Sequence, residues 1–325
     1  MNKILKYTVM IFTATLFMMS CEKNEIVFDA VFDSNLAYVQ IHNQIPVLVG
    51  SDYNFYKVEL NGLDICRNGG EPAINVPLNS WNSLPSSTVG RYFGTTVGQA
   101  NIKLYQGPNR ELKYDQNVTL QAGKQGLILY DLSKPPMVIT EPDNFENDRV
   151  SFYTDTIQWV KFFNIMREGP GAETTLKLQY QYQYVYNPLY TELDGEAGKI
   201  PAGYKVGDLV PTANRIRSPW INLGAPVGFG ENTGWTLVPV KKEGWITQGS
   251  ARVDYRILVA QGGTVGVNMN ADNVLLCRDS RPATGALVGF TDYWTGYVGR
   301  KVYHFFSGYR DSGVPGMELN LFYQR

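Results

Sequence analysis

The stretch Leu36-Ala37-Tyr38-Val39-Gln40-Ile41-His42-Asn43 returns, offset by 121 residues, as Ile157-Gln158-Trp159-Val160-Lys161-Phe162-Phe163-Asn164. Both copies carry an aromatic residue, Val, a polar residue, an apolar residue, one variable position and Asn. Apolar and polar positions alternate as they do in a strand with one face on a core. An opening strand used twice predicts duplicated domains.

Further strands follow outward from each copy. In the first they are Phe55–Leu60, closed by Asn61-Gly62, then Gln99–Tyr105, Asn117–Leu120 and Gly126–Tyr130, with a turn at Gln121-Ala122-Gly123-Lys124. Each run is short, rich in Val, Ile, Leu and Tyr, and bounded by Gly, Asn or Pro, a spacing that favours a sandwich. In the second copy Leu176, Leu178, Tyr180, Tyr182, Tyr184 and Tyr186 alternate with mostly polar residues, and strands resume at Ala251–Ala260, Lys301–Gly308 and Met317–Tyr323. The tyrosine stripe has two readings, a sugar platform or a sheet face packed on the core, and alternation is what burial produces.

Residues 187–250 are rich in Gly, Pro and Trp and form an expected loop-rich insertion. Ser133-Lys134-Pro135-Pro136 and Thr140-Glu141-Pro142-Asp143-Asn144 lack periodicity, which places a linker at 140–149 between domains at 36–139 and 150–325.

The N-terminal residues read MNKILKYTVMIFTATLFMMSC, with Lys3 and Lys6 ahead of an apolar run too short to span a bilayer, then Ser20-Cys21. This resembles a bacterial lipoprotein signal over residues 1–20, with lipidated Cys21 opening a tether over 21–35; plain secretion is the alternative. Several acyl chains would hold the protein stably on a membrane. Glu22-Lys23-Asn24-Glu25 resemble the export tags of surface lipoproteins of glycan-foraging Gram-negative gut bacteria, or are a solvated tether.

Lys+Arg 29 against Asp+Glu 30, with no block of like charge, leaves no electrostatic footprint for nucleic acid. Aromatics reach 13% with 21 Tyr while charged residues are 18%, the balance of β-rich extracellular modules. Beyond Cys21 only Cys66 and Cys277 remain. They fall in different expected domains and are read as two buried free thiols rather than a disulfide.

With both copies laid out, the chain resembles a family of repeated immunoglobulin-like domains of bacterial surface lipoproteins. Its members open with a strand of the form V-[RK]-F-[VI]-N, to which Val39–Asn43 (V-Q-I-H-N) and Val160–Asn164 (V-K-F-F-N) are similar, with Pro46 and Pro170 in the following turns and Asn61-Gly62 closing the next strand of the first copy. The strand, A-G turn, strand unit is similar to Val118–Lys124 running into Leu127–Tyr130. The resemblance covers most of 36–139 and the two ends of 157–325. It implies an all-β chain of two tandem immunoglobulin-like β-sandwich domains, the second with the long insertion, and a surface location.

Catalytic signals are sparse. Two histidines, His42 and His304, both lie in strand-like runs, where a structural role outweighs that of a general base. Glu192, Asp194 and Glu196 are acids in a loop and no more than that. There is no P-loop, dinucleotide fingerprint or zinc spacing, so no catalytic residue, metal or cofactor is assigned. Aromatics in irregular sequence are the positive signal: Trp220, Trp235 and Trp245 in the insertion, and Tyr293, Trp294 and Tyr297 in a polar, Gly-containing segment. They either stack on a ligand or plug the insertion onto the sandwich.

The expected protein is therefore a non-enzymatic outer-membrane lipoprotein facing the cell surface, with the periplasmic side as the alternative. Its partners are the membrane, through the anchor, and a carbohydrate or other extracellular ligand held by second-domain loops. A structural or assembly component of a surface complex or pilus is the alternative function.

Overall fold

The computed structural model describes residues 33–48, 50–66, 78–79, 81–85, 92–140, 157–186, 216–240, 250–278, 285–297, 300–312 and 316–324. Cys21, the tether up to residue 32, Trp245, the acids at 192–196 and most of the expected linker lie outside them. Among the described residues the sole helical turn is Ser51–Tyr53, and the rest of the regular structure is strand.

The first half contributes β1 (Leu36–Asn43), β2 (Phe55–Leu60), β3 (Leu63–Asp64), β4 (Ser83–Leu84), β5 (Phe93–Thr96), β6 (Gly98–Gln106), β7 (Glu111–Leu120), β8 (Gly123–Leu129) and β9 (Met137–Thr140). They make two sheets, β4-β1-β8-β9 with β5 also on β1, and β3-β2-β6-β7. Ala37, Val39 and Ile41 of β1 point inward to meet Val58, Ile102 and Leu104 from the facing sheet, giving one buried cluster. Apolar side chains leaving every second position of both sheets make this the sandwich that the alternation predicts.

The second half contributes β10 (Ile157–Gly169), β11 (Ala172–Glu173), β12 (Lys177–Tyr186), β13 (Ile216–Arg217), β14 (Ile221–Asn222), β15 (Thr236–Pro239), β16 (Ser250–Gln261), β17 (Leu276–Arg278), β18 (Leu287–Gly289), β19 (Thr291–Tyr297), β20 (Lys301–Tyr309) and β21 (Glu318–Gln324). One sheet runs β11-β10-β20-β21 with β15 on β10, another β13-β12-β16-β19 with β14 on β12, and β17-β18 form a ribbon. Val160 and Phe162 of β10 face Tyr180, Tyr182 and Tyr184 of β12 across a second buried cluster. The tyrosine stripe is therefore core, each of these three rings being no more than 5% exposed.

The two halves share a topological feature. In each half the opening strand pairs in parallel with a late strand, β1 with β8 and β10 with β20, and the late strand then pairs antiparallel with the next, β9 or β21. The repeated Asn has the same job in both. Asn43 Nδ2 donates to Asn79 O at 3.0 Å while its Oδ1 accepts from Ile45 N at 3.2 Å. Asn164 Nδ2 donates to Val227 O at 3.3 Å while its Oδ1 accepts from Met166 N at 3.2 Å. A single amide side chain with both donor and acceptor capacity can tie an incoming loop to the strand end in this way.

A third buried cluster lies between the two halves. Ile128 and Ile139 of the first meet Phe163, Ile165, Tyr303, Phe305 and Phe322 of the second. The side of β1 that would be wet in an isolated sandwich is covered, so Gln40 and His42 are 1% and 0% exposed. His42 sits among Tyr303, Phe305 and Phe322, with ring centroids 4.9–6.2 Å away. A Cβ at Gly126 would approach His42 Nε2 to 3.3 Å, so the small residue there makes room for the imidazole. Both faces of β10 and β20 are covered, so even the polar positions Gln158, Asn164 and His304 on them are buried.

Most predicted strands match, and β2 does so residue for residue. Three differences stand out. β7 starts at Glu111, six residues before the expected Asn117, because Tyr114 supplies an inward anchor amid polar residues. The Ser133–Pro136 stretch is fixed in place: Asp131 Oδ1 accepts from Ser133 N and Oγ at 2.8 Å each, and Met137–Thr140 then pairs with β8. The segment Tyr293–Tyr297, expected to be irregular, lies in the edge strand β19. Within the expected insertion, residues 216–240 are lashed to the sheets by β13 and β14 on β12 and by β15 on β10.

Candidate functional site

Neither histidine is placed for acid–base work. Both are fully buried, and burial lowers each to a pKa of about 3, so each imidazole is neutral across the ordinary range. His304 Nδ1 lies 3.2 Å from the Tyr180 hydroxyl in the core, and no hydrogen-bond partner meets His42 among the described residues. Cys66 and Cys277 are free and buried, and burial pushes the Cys66 thiol up to about 12 and the Cys277 thiol upward as well. Such thiols are protected and weakly nucleophilic. Among the described residues no group of three His, Cys, Asp or Glu side chains is gathered as a metal would require.

The aromatics singled out in the sequence separate into three environments. Trp294 is core, 4% exposed, with its ring 5.0 Å from that of His304. It is a packing residue, because inward positions of β19 point, as the tyrosines of β12 in the same sheet do, toward the facing sheet that carries His304. Trp235 packs into the cluster between the halves, its ring 5.0 Å from Tyr303 with Lys161 Nζ 4.9 Å from its centroid. Trp220, Tyr293 and Tyr297 remain at the surface of the second half.

Each of these three surface rings carries a guanidinium. Arg256 Cζ lies 4.4 Å from the Trp220 centroid, Arg252 Cζ 3.9 Å from that of Tyr293, and Arg300 Cζ 4.7 Å from that of Tyr297. Stacking of this kind is worth about 0.5–1 kcal/mol at exposed sites and holds both partners still. The strand register explains the arrangement. Val253, Tyr255 and Ile257 of β16 face the core, so Arg252, Asp254 and Arg256 face outward. Asp254 is in register with Gln183 of β12 and Tyr293 of β19, and Arg256 with Gln181 and Thr291.

Polar side chains lock this outer face. Arg256 Nε donates to Gln181 Oε1 at 2.8 Å, and Gln181 Nε2 donates to Asn222 Oδ1 at 2.7 Å. Arg252 Nε donates to Asp254 Oδ1 at 2.6 Å, and Arg217 Nε lies 3.5 Å from Asp254 Oδ2. Gln183 and Gln179 reach Ser218 O and Gly224 O at 3.0 and 3.2 Å, tying down the segment that carries Trp220. The result is a preorganised polar sheet face with two braced aromatic rings, Trp220 and Tyr293, the latter 47% exposed.

No protein-family model and no curated protein matches the chain. The chemistry of the face therefore rests on its own residues. Arg252, Arg256, Asp254 and Gln181 were not anticipated, although the signal was present: they are the polar partners of the alternation that marked β12 and β16 as strands.

Proposed function

We propose that the chain is a lipid-anchored, non-enzymatic outer-membrane protein, made of two tandem immunoglobulin-like β-sandwich domains of the surface-lipoprotein kind. It binds a carbohydrate on the outer face of the β12-β16-β19 sheet. The observation that carries the reading is the pairing of Trp220 with Arg256 and of Tyr293 with Arg252 around Gln181 and Asp254. Sugars present apolar C–H faces and hydroxyl edges together. A ring held on one side by a guanidinium offers its other side or edge for stacking, while Gln, Asp and Arg exchange hydrogen bonds with hydroxyls. The lipid anchor follows from the Lys-apolar-Ser20-Cys21 pattern, which keeps such a face at the membrane surface.

A glycan panel with the wild-type chain and Trp220→Ala tests the binding. At least one carbohydrate should bind the wild type and lose about tenfold or more in the variant, since an anchoring ring contributes on the order of 1–3 kcal/mol. No binding across the panel would remove the reading. For the anchor, Cys21→Ser should abolish partitioning into detergent; unchanged partitioning and mass would count against lipidation.

Strand-pairing assembly is the other reading. The ten-residue edge strand β7 is the surface for it, since β7 pairs only with β6 among the described residues. Exposed Glu111, Lys113 and Asp115 along β7 are the charges with which proteins deter edge pairing, which weighs against it.

A further inference from the structure

Resting on that carbohydrate-binding reading, we infer that the ligand is a carboxylated glycan, a polysaccharide carrying uronic acid residues, recognised by Arg256 with Arg252. Among the described residues, Arg217, Arg252 and Arg256 share the outer face with one carboxylate, Asp254. Asp292 is on the same edge strand but in register with core-facing Tyr255, so it projects from the opposite side. The face is thus cationic on a chain whose overall charge is −1. Local excess of one sign on a balanced chain selects the opposite sign in the ligand.

The hydrogen-bond geometry narrows the anion. Arg256 gives its Nε to Gln181, and its two Nη nitrogens have no hydrogen-bond partner among the described residues. The end-on edge, two parallel N–H groups, is left to the ligand. That edge matches the two oxygens of a planar carboxylate bidentately. Stacking on Trp220 holds the guanidinium plane, so little freedom is lost when the pair forms. Asp254 lies between the two arginines in sequence and in register, and it penalises a doubly charged phosphate more than a singly charged carboxylate.

Arg252 and Arg256 are four residues apart on one strand, hence about 13 Å along the sheet. This separation suits an oligosaccharide whose carboxylates recur along the chain rather than a single sugar. The ring planes of Trp220 and Tyr293 lie at the two ends of the same span.

The test is titration of the detergent-solubilised full chain with polygalacturonate, its fully methyl-esterified form, dextran sulfate and neutral glucans. Polygalacturonate should bind, the ester at least tenfold more weakly, and added salt should weaken the former. Arg256→Gln should lose tenfold or more, and Arg256→Lys, which keeps the charge but not the fork, should fall between. Equal binding of acid and ester, a preference for dextran sulfate, or full affinity in a folded Arg256→Gln would overturn the inference. A neutral glucan that binds through Trp220 would leave the carbohydrate reading standing and overturn only the carboxylate. Failure of every polysaccharide would overturn both.

Discussion

Arg167 Nη2 lies 2.6 Å from Asp131 Oδ2, with side chains 5% and 12% exposed. The pair joins the exit of the first half to the long strand β10 of the second. Burial works to raise the Asp131 carboxyl, but the Ser133 N–H and hydroxyl together with Arg167 outweigh it and hold the group below its usual range. Close by, Lys134 pairs with Glu173, Gln44 Oε1 accepts from Ser307 Oγ at 2.8 Å and from Asn320 Nδ2 at 3.2 Å, and the Tyr130 ring meets Phe229 edge-on. The halves are thus bolted together through polar contacts around an aromatic centre.

That bolt has a measurable cost when half removed. Asp131→Asn or Arg167→Met alone should destabilise by about 3–5 kcal/mol, because each leaves an uncompensated buried group. The double replacement should cost clearly less than the sum. Urea unfolding of the four chains decides it, and simple additivity would mean the pair does not couple.

Acid should weaken the fold before ordinary carboxylates titrate. His42 and His304 stay neutral in the folded chain down to about pH 3, while in the unfolded chain they take up protons near 6.5. The unfolded state therefore binds more protons between those values, so stability is full above about pH 6.5 and declines as pH falls. Each histidine contributes a slope of up to about 1.4 kcal/mol per pH unit. Unfolding free energies measured from pH 7 to pH 4 should show this slope, roughly halved in His42→Leu. A flat profile would show that the imidazoles reach water in the folded state.

Asn43 and Asn164 should respond alike to truncation. Each braces a strand end with one donated and one accepted bond, and Ala leaves buried backbone groups unpaired, at about 1–3 kcal/mol. Similar losses in Asn43→Ala and Asn164→Ala are expected by chemical denaturation. A large loss in one and none in the other would break the equivalence of the two halves.

Much of the sandwich could be read from the residues because its strands alternate. Leu178, Tyr180, Tyr182 and Tyr184 announced a buried face, and Val39 and Val160 marked two strands that each pair in parallel with a later one. What escaped was long-range. Nothing local in His42 or Gln40 says that a second sheet covers them, since that depends on Phe305 and Phe322 far along the chain. β19 escaped because Thr291–Tyr297 mixes Thr, Asp and Gly with its aromatics and takes its place as a strand through long-range pairing with β16. Of the candidate aromatics, Trp220 and Trp294 look equally conspicuous as letters. Register alone sends Trp294 to the core and leaves Trp220 beside Arg256.

That divergence separates packing from binding, and it decides whether the outer face of β12-β16-β19 holds the ligand. Binding of the glycan selected from the panel and thermal unfolding are measured together for Trp220→Ala and Trp294→Ala. Trp220→Ala should lose about tenfold or more in affinity and melt close to the wild type, whereas Trp294→Ala should lose about 3–5 kcal/mol of stability. A Trp220→Ala chain that binds as tightly as the wild type would contradict the account.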